Sequence, residues 1–360
     1  MTAEADLPGR VGELIGRRFG SAAAVERLAP LAGDASTRRY VRAWLRGPGA
    51  PATAVVMLLA DRGVAMSSDE LAVFAAAPTE LPYVNVHHFL AGLGVAVPEL
   101  YVDASDAGLL VLEDIGDVPL WDAVQDQDAD RTAVLFERAI DQLLLIQLDG
   151  TARHDAHCIA FQQRFDRRLF DWEFEHFIEH GLVNRVPRPI PSSELEELRA
   201  HFGRLSGFLD AQPRVLSHRD FHAWNLYVQD GRIRVIDFQD ALLAPAPYDL
   251  ATLLGDRDTP LRIRPELEQR LLDAYAARWA ARGGAAWRRD GLWDVYATCA
   301  LQKAFKVVGR FHYLDVVKGK PGYLRYLPPT WRQIARLLAA RPDLAPVQRI
   351  LAQYAPELRP

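Results

Sequence analysis

The sequence predicts an α+β chain in two parts, a β-rich first third followed by a mainly helical remainder. Three observations carry this expectation. Up to Leu112 the apolar residues fall in short β-branched runs set apart by turn formers, whereas beyond it they recur at helical spacing over long stretches. The one clear β-signal of the second part is a Gly-containing hairpin around Gln229, Asp230 and Gly231. The length, 360 residues, exceeds what one small core serves at roughly 150 residues per domain.

In chain order, residues 27–32 and 39–45 read as strands flanking the turn-rich pentapeptide Gly33-Asp34-Ala35-Ser36-Thr37, and residues 53–59 are a third strand. A small antiparallel sheet is the natural product. Val86, Phe89, Leu90 and Leu93 stand at i, i+3, i+4 and i+7, one face of a helix that stops near Gly94. Two further strands, 97–102 and 108–112, are joined by a turn at 103–107. Residues 131–148 place Val134, Phe136, Ile140, Leu143, Leu144, Ile146 and Leu148 on a broad apolar stripe suited to a buried helix. The late hairpin pairs 225–228 with 232–238.

Composition narrows the class. Hydrophobic residues at 49% and charged residues at 25% exclude wholesale disorder, a collagen repeat and a disulfide scaffold. A net charge of −5 offers no global attraction to nucleic acid or anionic membrane, so any anion must be held by a local site. The two cysteines, Cys158 and Cys299, have no metal-ligand spacing and read as reduced thiols, which suits the cytoplasm. Glu4 and Asp6 precede any apolar stretch, unlike a secretory signal. The longest uncharged stretch, 81–98, is interrupted by Pro82, Asn85, His87, His88 and Gly92, so no membrane span is expected.

The chemistry concentrates in Leu216-Ser217-His218-Arg219-Asp220-Phe221-His222-Ala223-Trp224-Asn225, which sets a carboxylate and a carboxamide five residues apart just before the hairpin. Ile236-Asp237-Phe238 follows at the hairpin's far end. Magnesium prefers hard oxygen ligands, often one or two protein groups completed by water and substrate phosphates, and Asn225 with Asp237 offers such a pair. Asp220 is then left to orient and deprotonate an acceptor hydroxyl, the division of labour of phosphoryl transfer. Taken singly, each is an ordinary loop residue; the ordered set is what carries chemistry.

His218-x-Asp220-x-x-x-x-Asn225 followed by Ile236-Asp237-Phe238 resembles the signature of the aminoglycoside phosphotransferase family, whose fold is similar to that of protein kinases. The resemblance implies a bilobal protein-kinase-like fold: residues 1–113 as an N-lobe of nucleotide-binding antiparallel sheet plus helix, and 114–360 as a helical C-lobe with catalytic loop, metal site and sugar pocket. It implies Asp220 as catalytic base, Asn225 and Asp237 as magnesium ligands, and an ATP-contacting hinge at Leu112-Glu113-Asp114-Ile115-Gly116, with Glu113 and Ile115 at the nucleotide. Tyr248-Asp249-Leu250 is implied as a structural cap behind the site. The segments Gly33–Tyr40, Val55-Val56-Met57, 237–241, 301–309 and 319–324 look like the bacterial anomeric kinases of peptidoglycan recycling. These phosphorylate the C1 hydroxyl of N-acetylmuramate or N-acetylglucosamine.

One departure is plain. The strand that carries a phosphate-pairing lysine in most kinases reads Thr53-Ala54-Val55-Val56-Met57-Leu58-Leu59 and has none. Backbone N–H groups of Gly33, Asp34, Ala35, Ser36 and Thr37, helped by Arg38 or Arg39, are the candidate replacement, because concave N–H clusters bind anions. No helix glutamate, for instance Glu70, can be assigned as a partner. Trp172, His222, Asp240, Lys306 and Arg310 are candidate sugar contacts, although Trp172, Phe174 and Phe177 also suit helix packing, and Lys306 with Arg310 also suits a solvated basic edge. The expected partners are ATP and a small amino sugar, with no nucleic acid, membrane or protein partner implied. Two alternatives stay open: a kinase of another small hydroxylated metabolite, of the aminoglycoside, choline or homoserine type, and a nucleotide-binding pseudokinase.

Overall fold

In the computed structural model the described residues are 6–31, 39–59, 80–285, 287 and 289–358. β1 (Ala24–Pro30), β2 (Arg39–Arg46), β3 (Thr53–Leu58), β4 (Leu100–Ala104) and β5 (Leu109–Glu113) form one antiparallel sheet in the order β1-β2-β3-β5-β4. The period-2 pattern of β2 decides its two faces. Val41, Ala43 and Leu45 are buried beneath Val11 and Ile15 of helix α1 (Leu7–Phe19), together with Ala54 and Val56 of β3. The sequence reading had no helix here. Three glycines in α1 lower its intrinsic propensity, and the helix is stabilised by burying one apolar stripe on the sheet.

Helix α2 (Pro82–Gly92) ends as expected before Gly94, whose φ of 83° suits a glycine. The next strand begins later than expected, at Leu100 instead of residue 97. The backbone of 96–98 is spent elsewhere: the Pro98 carbonyl accepts a hydrogen bond from His87 Nε2 at 2.7 Å, and the carbonyls of Ala96 and Val97 accept from Arg234 at 3.2 and 3.0 Å. Arg234 lies on the hairpin β7 (Leu226–Gln229) and β8 (Arg232–Val235), and also pairs with Glu113 at 2.8 Å. These bonds explain why residues 227–240 cluster with Met1–Val118 as one compact unit, while Pro119–Leu226 and Ala241–Pro360 form the other. β8 stops at Val235, three residues short of the expected end.

The second unit is helical apart from β6 (Arg214–Ser217) and β9 (Leu242–Pro245), which pair antiparallel. Its helices are α3 (Leu120–Ala123), α4 (Ala129–Leu144), α5 (Thr151–Arg153), α6 (Arg167–His176), α7 (Ser192–Asp210), α8 (Pro247–Gly255), α9 (Pro265–Ala281), α10 (Arg289–Val316), α11 (Leu327–Ala339) and α12 (Ala345–Tyr354). Asp128 and Asp166 cap α4 and α6 by accepting the backbone N–H groups of Arg131 and Leu169. The expected helix over 131–148 is α4 followed by a π-turn, Leu145–Gly150. The wider turn carries the buried Gln147, which donates to the Ala246 carbonyl and accepts from Tyr275. Val134, expected on the apolar stripe, is 44% exposed.

Helix α10 packs against α6, α8, α11 and the π-turn Phe177–Leu182. Its approach to that turn requires Gly309, since a Cβ there would sit 2.8 Å from the Phe177 Cα and 2.9 Å from the His176 carbonyl. Phe174 stacks on Phe202 at 4.4 Å, and Phe177 meets Phe305 at 4.7 Å, so these two aromatics serve packing. Both cysteines are buried free thiols. No helix among the described residues is long and apolar enough to cross a membrane.

The Arg234–Glu113 pair makes a prediction with a definite sign. Arg234→Gln should lower stability by about 1–2 kcal/mol at pH 7, read as a fall in thermal midpoint. The Arg234 hydrogen bonds hold the Glu113 carboxyl below its ordinary value against the opposing effect of burial. That contribution is present above the unfolded carboxylate pKa of about 4.3 and is lost as pH falls through the lowered folded value. The gap between variant and parent should therefore narrow in acid, down to the part owed to the Ala96 and Val97 carbonyls; a constant gap would exclude this ion pair as a source.

Candidate active site

Beyond β6 the chain turns sharply, with Arg219 at φ 77°, a left-handed conformation that costs a non-glycine residue about 1–2 kcal/mol. Asp249, in the first turn of α8, holds the turn in place. Its Oδ2 accepts the backbone N–H of His218 at 2.7 Å and its Oδ1 accepts that of Arg219 at 2.9 Å. Asp249 is fully buried. Burial raises its carboxyl, while the charge of His218 and the loop N–H groups act in the opposite direction. The rest of the loop is closed by short-range bonds: His222 N–H to the Asp220 carbonyl at 3.0 Å, Asn225 N–H to the His222 carbonyl at 2.9 Å, and Asn225 Nδ2 to the Asp220 carbonyl at 3.0 Å. Trp224 Nε1 donates to Asp258 at 3.1 Å.

This scaffold leaves the Asp220 carboxylate 29% exposed at the mouth of a buried charge cluster. Lys303 of α10 bonds its Oδ1 at 2.8 Å. One turn further along the same helix face, Lys306 lies 3.8 Å from Glu173, which also accepts from Gln302 at 2.6 Å and lies 4.0 Å from the Arg219 guanidinium. Burial works to raise the Asp220 carboxyl, but Lys303, Lys306 and Arg219 more than offset it and hold the group well below the usual carboxylate range. His222, also buried, is kept neutral, first by burial and then by the positive charge of Arg257.

Asp237 belongs to the first unit. It follows β8 at φ 64°, a second left-handed non-glycine position, and its Oδ1 accepts from Gln239 Nε2 at 2.9 Å. Phe238 anchors this bend by packing on Tyr83 and His87 of α2, at 4.9 and 6.0 Å between ring centres. Of the two residues expected at the nucleotide, Glu113 is engaged through its side chain by Arg234 and by the Glu99 N–H at 2.9 Å, while Ile115 is buried. Met57 is buried between Tyr40 and Leu110, so β3 carries no lysine at the site.

Of the residues predicted from sequence, Asp220, His222, Asn225 and Lys306 come together in the second unit. Trp172 is half-buried and stacks on His176 at 5.2 Å, and Arg310 lies over the Tyr313 ring at 5.4 Å. Asp240 closes the first unit, half-buried. Arg39 is exposed at the start of β2. Gly33, Asp34, Ala35, Ser36, Thr37, Arg38 and Glu70 lie outside the described residues. Lys303 and Glu173 were missed. The available signal was the spacing of Lys303 and Lys306, three apart and flanked by the apolar Ala300, Leu301, Ala304, Phe305, Val307 and Val308, where a buried ammonium demands a carboxylate partner.

The sequence profile of the phosphotransferase enzyme family matches residues 27–293. The chain belongs to this family. The phosphotransferase is 28% identical over 332 residues to the N-acetylmuramate/N-acetylglucosamine kinase of Pseudomonas aeruginosa, covering 90% of this chain and 88% of that one. It is 30% identical over 348 residues to the kinase of the same name from Caulobacter vibrioides, covering 91% of each chain. Among solved structures, choline kinase LicA from Streptococcus pneumoniae matches with a TM-score of 0.56 at 15% identity, covering 92% of this chain and 99% of that one. LicA has also been solved in complex with AMP, at a TM-score of 0.57. These likenesses bear out the expected kinase-like α+β fold of the phosphotransferase.

Asp249→Asn tests the bracket behind the loop. A carboxamide has one acceptor oxygen and turns its NH2 toward the second N–H, so one bond is lost and a donor faces a donor. Stability should fall by at least about 2 kcal/mol, measured by thermal unfolding. An unchanged midpoint would refute the bracket.

Proposed function

We propose that this phosphotransferase moves the terminal phosphoryl group of ATP, with magnesium, to the anomeric hydroxyl of N-acetylmuramate or N-acetylglucosamine. The observation that carries this reading is the match, along about nine tenths of both chains, to two kinases of that name from different bacteria. The cations around Asp220 favour the same acceptor class. Choline and aminoglycosides bring positive charge to the acceptor site and call for an acidic lining, whereas the charges that bear most strongly on Asp220 here are Lys303, Lys306 and Arg219. A neutral or acidic sugar avoids that repulsion.

In this reading Asp220 receives the proton of the acceptor hydroxyl through Oδ2, which carries no hydrogen bond from any described residue. A weak base suffices, because an anomeric hydroxyl is more acidic than an ordinary alcohol and the transition state is loose. Alignment for in-line attack is the larger part of the task. By residue type Asn225, with a carboxamide oxygen, and Asp237, with a carboxylate, suit magnesium, which prefers hard oxygen ligands. Asn225 and Asp237 would hold the ion, whose charge offsets that of the β- and γ-phosphates when bound. Glu113 and Ile115 are proposed for the adenine side, and residues 33–37 with Arg38 or Arg39 for part of the phosphate charge. Arg38→Ala and Arg39→Ala should each raise the KM for ATP; if both leave KM and turnover unchanged, this segment has no such role.

The decisive assay incubates the protein with ATP, magnesium and a panel of both amino sugars, choline, homoserine and an aminoglycoside, and reads the phosphate position by phosphorus NMR. A C1 phosphate on an amino sugar is the expected product. Transfer to choline or an aminoglycoside alone would move the protein to another branch of the family, and no ATP consumption with any acceptor would favour a pseudokinase. Asp220→Asn should lower kcat by about a thousandfold while ATP binding persists; near-parental turnover would remove Asp220 from the chemistry.

A further inference from the structure

We propose that Lys303 is a dedicated positioning residue for the catalytic base, a role that rests on the reading of Asp220 given above. Its ammonium has three N–H donors, and three acceptors are at hand. Asp220 Oδ1 lies 2.8 Å away, the Arg219 carbonyl 3.3 Å, and the face of the Tyr248 ring 5.6 Å from its centre. The side chain is 4% exposed. A lysine so occupied has no donor to spare for a phosphate or a sugar. Its effect must pass through the group that it holds.

The cluster divides the work. Lys306, Gln302 and the Arg219 guanidinium are directed at Glu173, and Lys303 at Asp220. The Lys303 contact takes one carboxylate oxygen, Oδ1, of a side chain that keeps 29% of its surface exposed. The bond to the Arg219 carbonyl ties that geometry to the backbone on the other side of the same turn. A carboxylate without this tether is free to rotate about its side-chain torsions, and loss of alignment costs rate without costing binding.

Four proteins test the idea: Lys303→Met, Lys303→Arg, Asp220→Asn, and the double variant Asp220→Asn with Lys303→Met, each assayed for kcat and for both KM values with ATP and the better amino sugar. Lys303→Met should lower kcat by about a hundredfold with both KM values little changed. Lys303→Arg should recover part of the loss, since it restores the charge but not the three-way donor geometry. In the Asp220→Asn background Lys303→Met should add nothing, because a tether on an absent base has no work to do. Losses that multiply in the double variant, or a raised sugar KM with unchanged kcat, would overturn the positioning role. Near-parental turnover of Asp220→Asn would overturn the base assignment itself, a separate result. If Lys303→Met does not fold, Lys303→Arg carries the test, alone and in a further double variant with Asp220→Asn, with about a tenfold fall in kcat expected alone and none beside Asp220→Asn.

Discussion

The loop that carries Asp220 hangs on one buried carboxylate. Asp249 receives the N–H groups of His218 and Arg219 on its two oxygens, and that bracket helps to offset the cost of the left-handed backbone at Arg219, whose N–H also lies 3.2 Å from Ser217 Oγ. The consequences spread from there. With the turn fixed, the Arg219 carbonyl faces Lys303, its guanidinium faces Glu173, and Asp220 is presented at the surface of the cluster. A fully buried carboxylate is costly by itself, and it persists here because two charge-assisted hydrogen bonds satisfy it. The bracket comes from the start of α8, so the position of that helix sets the position of Asp220.

A second constraint is electrostatic. A base that is ionised at neutral pH inside a protein needs compensation, since desolvation favours its protonated form. The second unit supplies that compensation from its longest helix. Lys303 and Lys306 stand three apart on α10, and the close approach allowed by Gly309 packs the same helix against the end of α6, which carries Glu173. Helix packing and charge placement are therefore one design: the contact that buries Phe174, Phe177 and Phe305 also aligns two ammonium groups with two carboxylates.

Strand and hairpin positions were largely legible in the sequence because alternation and turn chemistry are local signals. β2, β3, β5 and the hairpin at 226–235 fall where β-branched runs and the Asp230-Gly231 turn place them. Non-local partners decided the misses. Residues 97–99 look like a strand, but their neighbourhood hydrogen-bonds with His87 and Arg234, 11 and 137 positions away in the case of Pro98 and Val97. Helix α1 is glycine-rich and forms against a sheet that periodicity alone does not reveal. Asp220, Asn225 and Asp237 were legible as candidates because their spacing belongs to a recognisable pattern. Lys303 was not, because its meaning depends on a partner 83 positions earlier in the chain.

The methionine on β3 fits this distribution of charge. Cross-strand pairing puts Met57 opposite Tyr40, and Val55 opposite Arg42, so Tyr40, Arg42, Val55 and Met57 share one face of the sheet. Arg42 brings a cation to that face but spends it on Asp114 at 2.7 Å and Asp117 at 2.7 Å. The hydrogen bond to Asp117, with the charge of Asp114, raises the arginine's affinity for its proton, against the effect of burial. An arginine neutralised by two carboxylates is no replacement for a phosphate-pairing lysine; it braces β2 to the segment after β5. Met57 meanwhile completes an apolar contact between Tyr40 and Leu110, where an ammonium with no carboxylate beside it would be expensive to bury. Substituting methionine for lysine on this strand is consistent with a sheet whose adjacent carboxylates are already committed to Arg42.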